Sequence, residues 1–198
     1  MKKAVFTFLF LICIFAQSAF AQRIVTGGSS STEIVCALGF CHNIVATDRT
    51  SLYPPQVQSL PSIGYRTGIN TEGIISMNPE LIILKKEYIK DIVIEQLDAA
   101  QLKLIEIDNQ HTFENTKEKI RTIAAALNAK EKGEKLIQKL EADLAALQRR
   151  VDADGNKPKI ICVYNRGRGN MMVGGNDTGF NLINLAGLEN AVPEISGF

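Results

Sequence analysis

EGIISMNPELIILKKEYIKDIVIEQLDAAQLKLIEI, residues 72–107, decides the fold. Leu81-Ile82-Ile83-Leu84 is a continuous apolar run, the pattern of a strand buried on both faces of a parallel sheet. Before it, Glu72 to Met77 reads as a short helix. Asn78-Pro79 ends that helix, because a residue preceding proline is pushed out of the helical region. After it, Ile89 to Ala100 reads as helix and Leu104 to Ile107 as a second strand. Strand and helix alternate, which predicts an α/β unit.

Working toward the N-terminus, Arg23-Ile24-Val25-Thr26 is a short strand running into Gly27-Gly28. Ser30 to Glu33 has the form of a capping box, with Ser30 as N-cap. Ile34, Val35 and Leu38 form the buried face of the helix that follows, and Gly39 supplies a left-handed stop. Ile44-Val45-Ala46 is the next strand, and a Ser- and Pro-containing loop runs from Thr47 to Pro61. Residues 22–111 thus read as one α/β lobe.

Toward the C-terminus the character changes. Leu136, Ile137, Leu140, Leu144 and Leu147 make a helical stripe in a stretch with one glycine and no proline. Residues 112–151 are therefore expected to form one long helix, nearly forty residues against the about 8–20 usual in globular proteins. That is the form of a rigid connector between lobes. Alternation restarts after Asp154-Gly155-Asn156, with strands expected at Lys159 to Tyr164 and Met171 to Val173 and a helix at Thr178 to Ala186. A sheet of so few strands buries its faces poorly. Residues 152–198 accordingly read as a partial second lobe, with truncation expected.

Residues 1–21 read as a cleaved signal peptide. Lys2 and Lys3 form the positive region, Val5 to Phe15 the apolar one, and Ala19-Phe20-Ala21 the small-x-small cleavage pattern. Removing two lysines and no acid takes the formal charge from +1 to −1. A near-neutral chain without a basic block lacks the electrostatic footprint of a nucleic-acid binder. Export permits disulfides. Cys36 and Cys41, around Leu38-Gly39, fit closure of a small loop, and Cys36 equally fits a buried apolar side chain.

No catalyst is readable. His42 and His111 lie in separate elements, so no histidine-based zinc cluster forms. Cys41-His42 is no covalent haem site, because Leu38 occupies the first cysteine position. Gly27-Gly28-Ser29 lacks the lysine of a phosphate loop and reads as a tight strand-to-helix turn, whose helix N-terminus can contact an anionic group. What remains is a set of polar and aromatic loops following strands: Gly28-Ser29, Tyr53-Pro54-Pro55, Gly64-Tyr65-Arg66 and Asn165 to Met172. In open α/β sheets such loops carry the ligand. An exported α/β enzyme is the competing class, and the absence of an assignable nucleophile or base argues against it.

Three blocks, Thr50-Ser51-Leu52-Tyr53-Pro54, Leu60-Pro61-Ser62-Ile63-Gly64-Tyr65 and Glu72 to Leu81, together resemble the periplasmic haem-binding proteins of ABC uptake transporters. The wider class also carries cobalamin and siderophores. The resemblance implies two Rossmann-like lobes with parallel sheets bridged by one long helix, the class III arrangement. It implies a monomer that captures haem in an interlobe cleft and hands it to an inner-membrane ABC permease. It places the haem-iron axial ligand at Tyr65, which matches the tyrosine of the family's Gly-Tyr-Met-Arg motif. Tyrosine is a known axial haem ligand, and the phenolate that binds ferric iron is favoured by a nearby cation. The family carries that arginine two residues on, where this chain has Thr67, while Arg66 follows Tyr65 directly. In an extended segment neighbouring side chains point apart. Arg66 is therefore expected to face a haem propionate or solvent rather than the phenol. Tyr53 is implied as pocket wall and as the competing ligand, as cobalamin-binding relatives use the Tyr-Pro-Pro segment. Gly28, Ser29, Arg166, Arg168 and Met172 complete the expected pocket, the two arginines as partners for propionates or as solvated loop charges. Glu72 resembles the lobe-surface glutamate that docks on the permease.

Overall fold

A computed structural model of the chain describes residues 22–66, 68–86, 89–108, 110, 112–165, 171–174 and 186–195. Four parallel strands make the principal sheet, in the order β2-β1-β5-β6: β1 is Ile24–Gly27, β2 Ile44–Ala46, β5 Leu81–Lys85 and β6 Leu104–Ile107. Alternate residues of β5 serve opposite faces. Leu81 and Ile83 join a cluster with Ile24, Ile34, Val35 and Ile123. Ile82 and Leu84 join Val25, Ile74, Val93 and Leu97 on the other side. Leu81 to Leu84 are all fully buried, the reason the strand is apolar at these four positions.

Helix α1 (Ser29–Ala37), which follows β1, packs on the first face. Helices α2 (Thr71–Ser76) and α3 (Asp91–Ala99) flank β5 in sequence and pack on the second. The chain leaves β1 toward β2 and leaves β5 toward β6, so the winding direction reverses between β1 and β5. Such a reversal opens a crevice outside the carboxyl ends of the strands.

The expected helix boundaries hold to within a residue or two, with two corrections. Helix α1 has Gly28, at φ 98°, as its N-cap and no side-chain cap, so the Ser30–Glu33 capping box does not form. Gly28 carbonyl oxygen accepts instead from the amides of Ser31 (3.0 Å) and Thr32 (3.3 Å), which starts the helix earlier.

The second correction concerns residues 112–151, which form two helices, α4 (Phe113–Ala126) and α5 (Lys130–Asp154). Asn128 takes φ 53°. Its amide donates to Ala125 (3.2 Å) and that of Ala129 to Ala124 (2.7 Å). This is a left-handed helix stop of the kind glycine usually makes, here made by asparagine. Arg121 pairs with Glu134 (2.9 Å) and Lys117 with Glu141 (3.0 Å), so the two helices run antiparallel side by side. A Cβ on Gly133 would lie 2.6 Å from Ala124 Cβ, so glycine permits their close approach. The 25 residues of α5 span about 37 Å. No helix among the described residues is long and apolar enough to cross a membrane.

Beyond α5 the expected strand at Lys159 to Tyr164 is interrupted at Ile161. β7 (Lys159–Ile160) pairs in parallel with β10 (Glu189–Asn190), while β8 (Cys162–Asn165) and β9 (Met171–Gly174) form an antiparallel pair. Residues 1–21, expected as a signal peptide, lie outside the described residues, as does most of the helix expected at Thr178 to Ala186. Cys36 and Cys41 form a disulfide that joins the last turn of α1 to the turn Cys41–Asn43 before β2.

Candidate functional site

Three segments converge at the carboxyl ends of β1 and β2. The first is the Gly27-Gly28 turn. Gly28 is buried, and a Cβ there would meet Lys85 Cβ at 3.2 Å, so the turn lies against the end of β5. Ser29, exposed, begins α1 beside it.

The second segment is Thr47 to Tyr53. It opens with buried hydroxyls: Thr26 Oγ1 lies 2.8 Å from Thr32 Oγ1 and donates to Thr47 Oγ1 (3.0 Å). Thr32 Oγ1 also meets Ser51 Oγ at 2.8 Å. Asp48, 2% exposed, sits within this network. Its Oδ1 accepts from the Gly28 amide (3.0 Å) and Ser51 Oγ (2.6 Å). Its Oδ2 accepts from the Thr50 amide (3.2 Å) and from Thr50 Oγ1. Past this anchored stretch, Leu52 and Tyr53 stand 63% and 65% exposed. A cavity of about 270 Å³ opens here, with Arg49, Leu52, Gln58 and Ser62 among its lining residues.

The third segment is the hairpin β3 (Gly64–Tyr65) and β4 (Gly68–Ile69). It continues the sheet edge: the Thr47 amide donates to Pro61, the Ile63 amide to Thr47 and the Arg49 amide to Gly64, at 2.9–3.0 Å. Gly64 has φ 109°, and a Cβ there would collide with the Gly68 carbonyl. Glycine is thus required before Tyr65 for the hairpin to turn beside Arg49.

Tyr65 is 41% exposed at the end of β3. Arg66 corrects the extended-chain expectation. Its φ is 49°, and the turn folds its guanidinium back over the Tyr65 ring, with Cζ 5.3 Å from the centroid. A cation on an aromatic face at this distance stabilises by about 0.5–1 kcal/mol at an exposed site. The arginine of this turn thus lies on the ring face of Tyr65.

The structure brings Gly28, Tyr65 and Arg66 to one rim of the lobe, joined through the Thr47–Ser51 stretch that leads to Tyr53. Arg166 and Arg168 lie outside the described residues. Met172 is placed only as a backbone position of β9, opposite Tyr164. Glu72 is exposed in the first turn of α2, where the Asn70 side chain accepts from the Gly73 amide (2.9 Å) as N-cap. Among the described residues no group of three or more His, Cys, Asp or Glu side chains gathers as for a metal ion.

Asp48 is the residue that sequence reading missed. An aspartate followed by Thr50 and Ser51 after a strand carries the signature of side-chain-to-backbone turns. That signature marks a loop; it does not say that the carboxylate is buried or that it reaches Gly28.

The family model for the periplasmic binding protein matches residues 24–198. A periplasmic heme-binding protein from Roseiflexus sp. RS-1, solved in apo form, superposes with a TM-score of 0.83 at 32% identity, over 89% of this chain and 69% of that one. An uncharacterized ABC transporter substrate-binding lipoprotein of Bacillus subtilis (strain 168) is 24% identical over 89% of this chain and 57% of its own length. A vitamin B12-binding protein of Photorhabdus laumondii is 29% identical over 77% of this chain and 56% of its own length. The chain thus spans a little over half the length of these curated relatives.

Proposed function

This chain belongs to the periplasmic binding protein family, and we propose that it captures haem outside the cytoplasm and delivers it to an ABC permease. The observation that carries this reading is the exposed Tyr65 with the Arg66 guanidinium on its ring, in a hairpin at the carboxyl-end rim of the sheet beside β2. A phenolate is a hard anionic donor for ferric iron. The adjacent guanidinium balances its charge without competing for the metal, since arginine stays protonated and offers no lone pair. The similarity to the Roseiflexus heme-binding protein supports the same ligand class.

Around that centre, Tyr53 and Leu52 form an apolar wall for the porphyrin plane, and the Gly28 turn with Ser29 closes the inner side. Arg166 and Arg168 pair haem propionates from the second lobe, where Met172 adds an apolar contact. Glu72 docks the loaded protein on the permease. The role is binding rather than catalysis.

A second reading keeps the scaffold and changes the cargo. The exposed Tyr53 and the similarity to vitamin B12-binding proteins favour cobalamin. Parallel titrations with haemin and cyanocobalamin separate the two. Saturable binding of haemin, with a shifted Soret band, and none of cyanocobalamin supports the proposal; the reverse pattern transfers the site to cobalamin.

A further inference from the structure

We propose that Asp48 is a positioning residue of the ligand site: a buried carboxylate that locks the Gly28 turn to the Thr50–Tyr53 loop, so that the two present one surface to the ligand. The inference rests on the rim being the ligand site, as proposed above.

Four donors converge on this carboxylate. One comes from the turn after β1, the Gly28 amide at 3.0 Å. Three come from the loop after β2: Ser51 Oγ at 2.6 Å, the Thr50 amide at 3.2 Å and Thr50 Oγ1. Both oxygens are used, and each receives two bonds. Hydrogen bonds to an ionised acceptor are about twice as strong as neutral ones. The position also requires an acceptor-only group. An asparagine of the same shape would turn an NH₂ toward one pair of donors; the hydroxyl of that pair can accept from it, but the amide of Gly28 or Thr50 is left without an acceptor.

The joined segments lead outward to the site. Asp48 is itself 2% exposed and cannot touch a ligand. Two residues beyond Ser51, however, Tyr53 stands 65% exposed, and the next residue after Gly28 starts α1 at the rim. Ser51 is pinned a second time, by Thr32 Oγ1 of α1 at 2.8 Å, so the loop root is fixed to both the strand end and the helix. Relaxing Asp48 frees the loop that carries Tyr53 relative to the Gly28 turn, and the ligand must then order it on binding. Preorganisation of this kind appears as affinity.

The test is a double-mutant cycle on the full chain, read by haemin titration at a temperature where circular dichroism shows each variant folded. Asp48→Asn is expected to weaken haemin binding by about tenfold or more. Its bound Soret spectrum should stay that of wild type, since Tyr65 still holds the iron. In a Tyr53→Ala background the same substitution should cost under about threefold, because the wall it positions is gone, while its effect on the melting temperature should be the same in both backgrounds. An equal loss of affinity with and without Tyr53, or unchanged affinity beside a lowered melting temperature, makes Asp48 purely structural and overturns the proposal. If Asp48→Asn does not fold, Ser51→Ala, which removes one donor and the tie to Thr32, carries the same cycle with the same two outcomes. A wild-type chain that binds cyanocobalamin instead of haemin is tested by the same cycle with that ligand. One that binds neither overturns the ligand-site reading and this role with it.

Discussion

The strands of the β-sheet and the seam between α4 and α5 are fixed in different ways, although both helices share the core under one face of the sheet. In the sheet, Leu81 to Leu84 are buried on two faces, and core packing leaves no alternative arrangement. In the hairpin, Gly133 against Ala124 sets the approach of the helices, and ion pairs at Arg121 and Lys117 line its exposed side. The sheet is fixed by apolar volume on both faces; α4 and α5 join the same core through Ile120, Ile123 and Ile137, and their seam adds a small-residue contact and ion pairs that salt screens.

The largest expected effect breaks the sheet. Ile83→Ala removes a fully buried side chain at the centre of β5 and should cost about 2–5 kcal/mol in urea unfolding. Leu147→Ala, on the exposed side of α5, should leave the same curve within about 0.5 kcal/mol. A similar cost for both would mean that this side of α5 is packed as the sheet is. Next comes the contact between the hairpin helices. Gly133→Val overfills the space before Ala124 Cβ and should destabilise by about 1–3 kcal/mol. A neutral result would show that α4 and α5 separate without penalty.

The smallest effect lies in the charges. The carboxylates of Glu114 and Glu141 hold the Lys117 amine above the ordinary lysine value. A raised amine contributes stability that is fully present below its unfolded value of 10.5 and is lost as pH rises through the higher folded value. Lys117→Met should therefore lower the melting temperature slightly at neutral pH and not at all in strong alkali. The partner carboxylates Glu114 and Glu141 are exposed, so high salt should shrink the difference.

The same contrast decides what was legible in the sequence. Leu81 to Leu84 reads correctly as a buried strand because apolar side chains at every position have one explanation in an α/β chain. The break in residues 112–151 was not legible, because Asn128 is polar and lies between two amphipathic stretches that look continuous. Only the left-handed turn at Asn128, stabilised by bonds back to Ala124 and Ala125, marks the stop. In the candidate site, Tyr65 stood out through its motif. The position of Arg66 did not, because φ 49° reverses the side chain that an extended segment would point away. Asp48 was hidden for another reason: its partner Gly28 is twenty residues distant in sequence and comes near only when β1 and β2 pair.

The central claim is that Tyr65 is the iron ligand. The measurement that tests it most directly is a haemin titration of the wild-type chain, Tyr65→Phe and Tyr53→Phe, followed through the Soret band. The expected result is a saturable shift in the wild type, its loss in Tyr65→Phe, and its retention with weaker affinity in Tyr53→Phe. A shift that survives in Tyr65→Phe and disappears in Tyr53→Phe would contradict it.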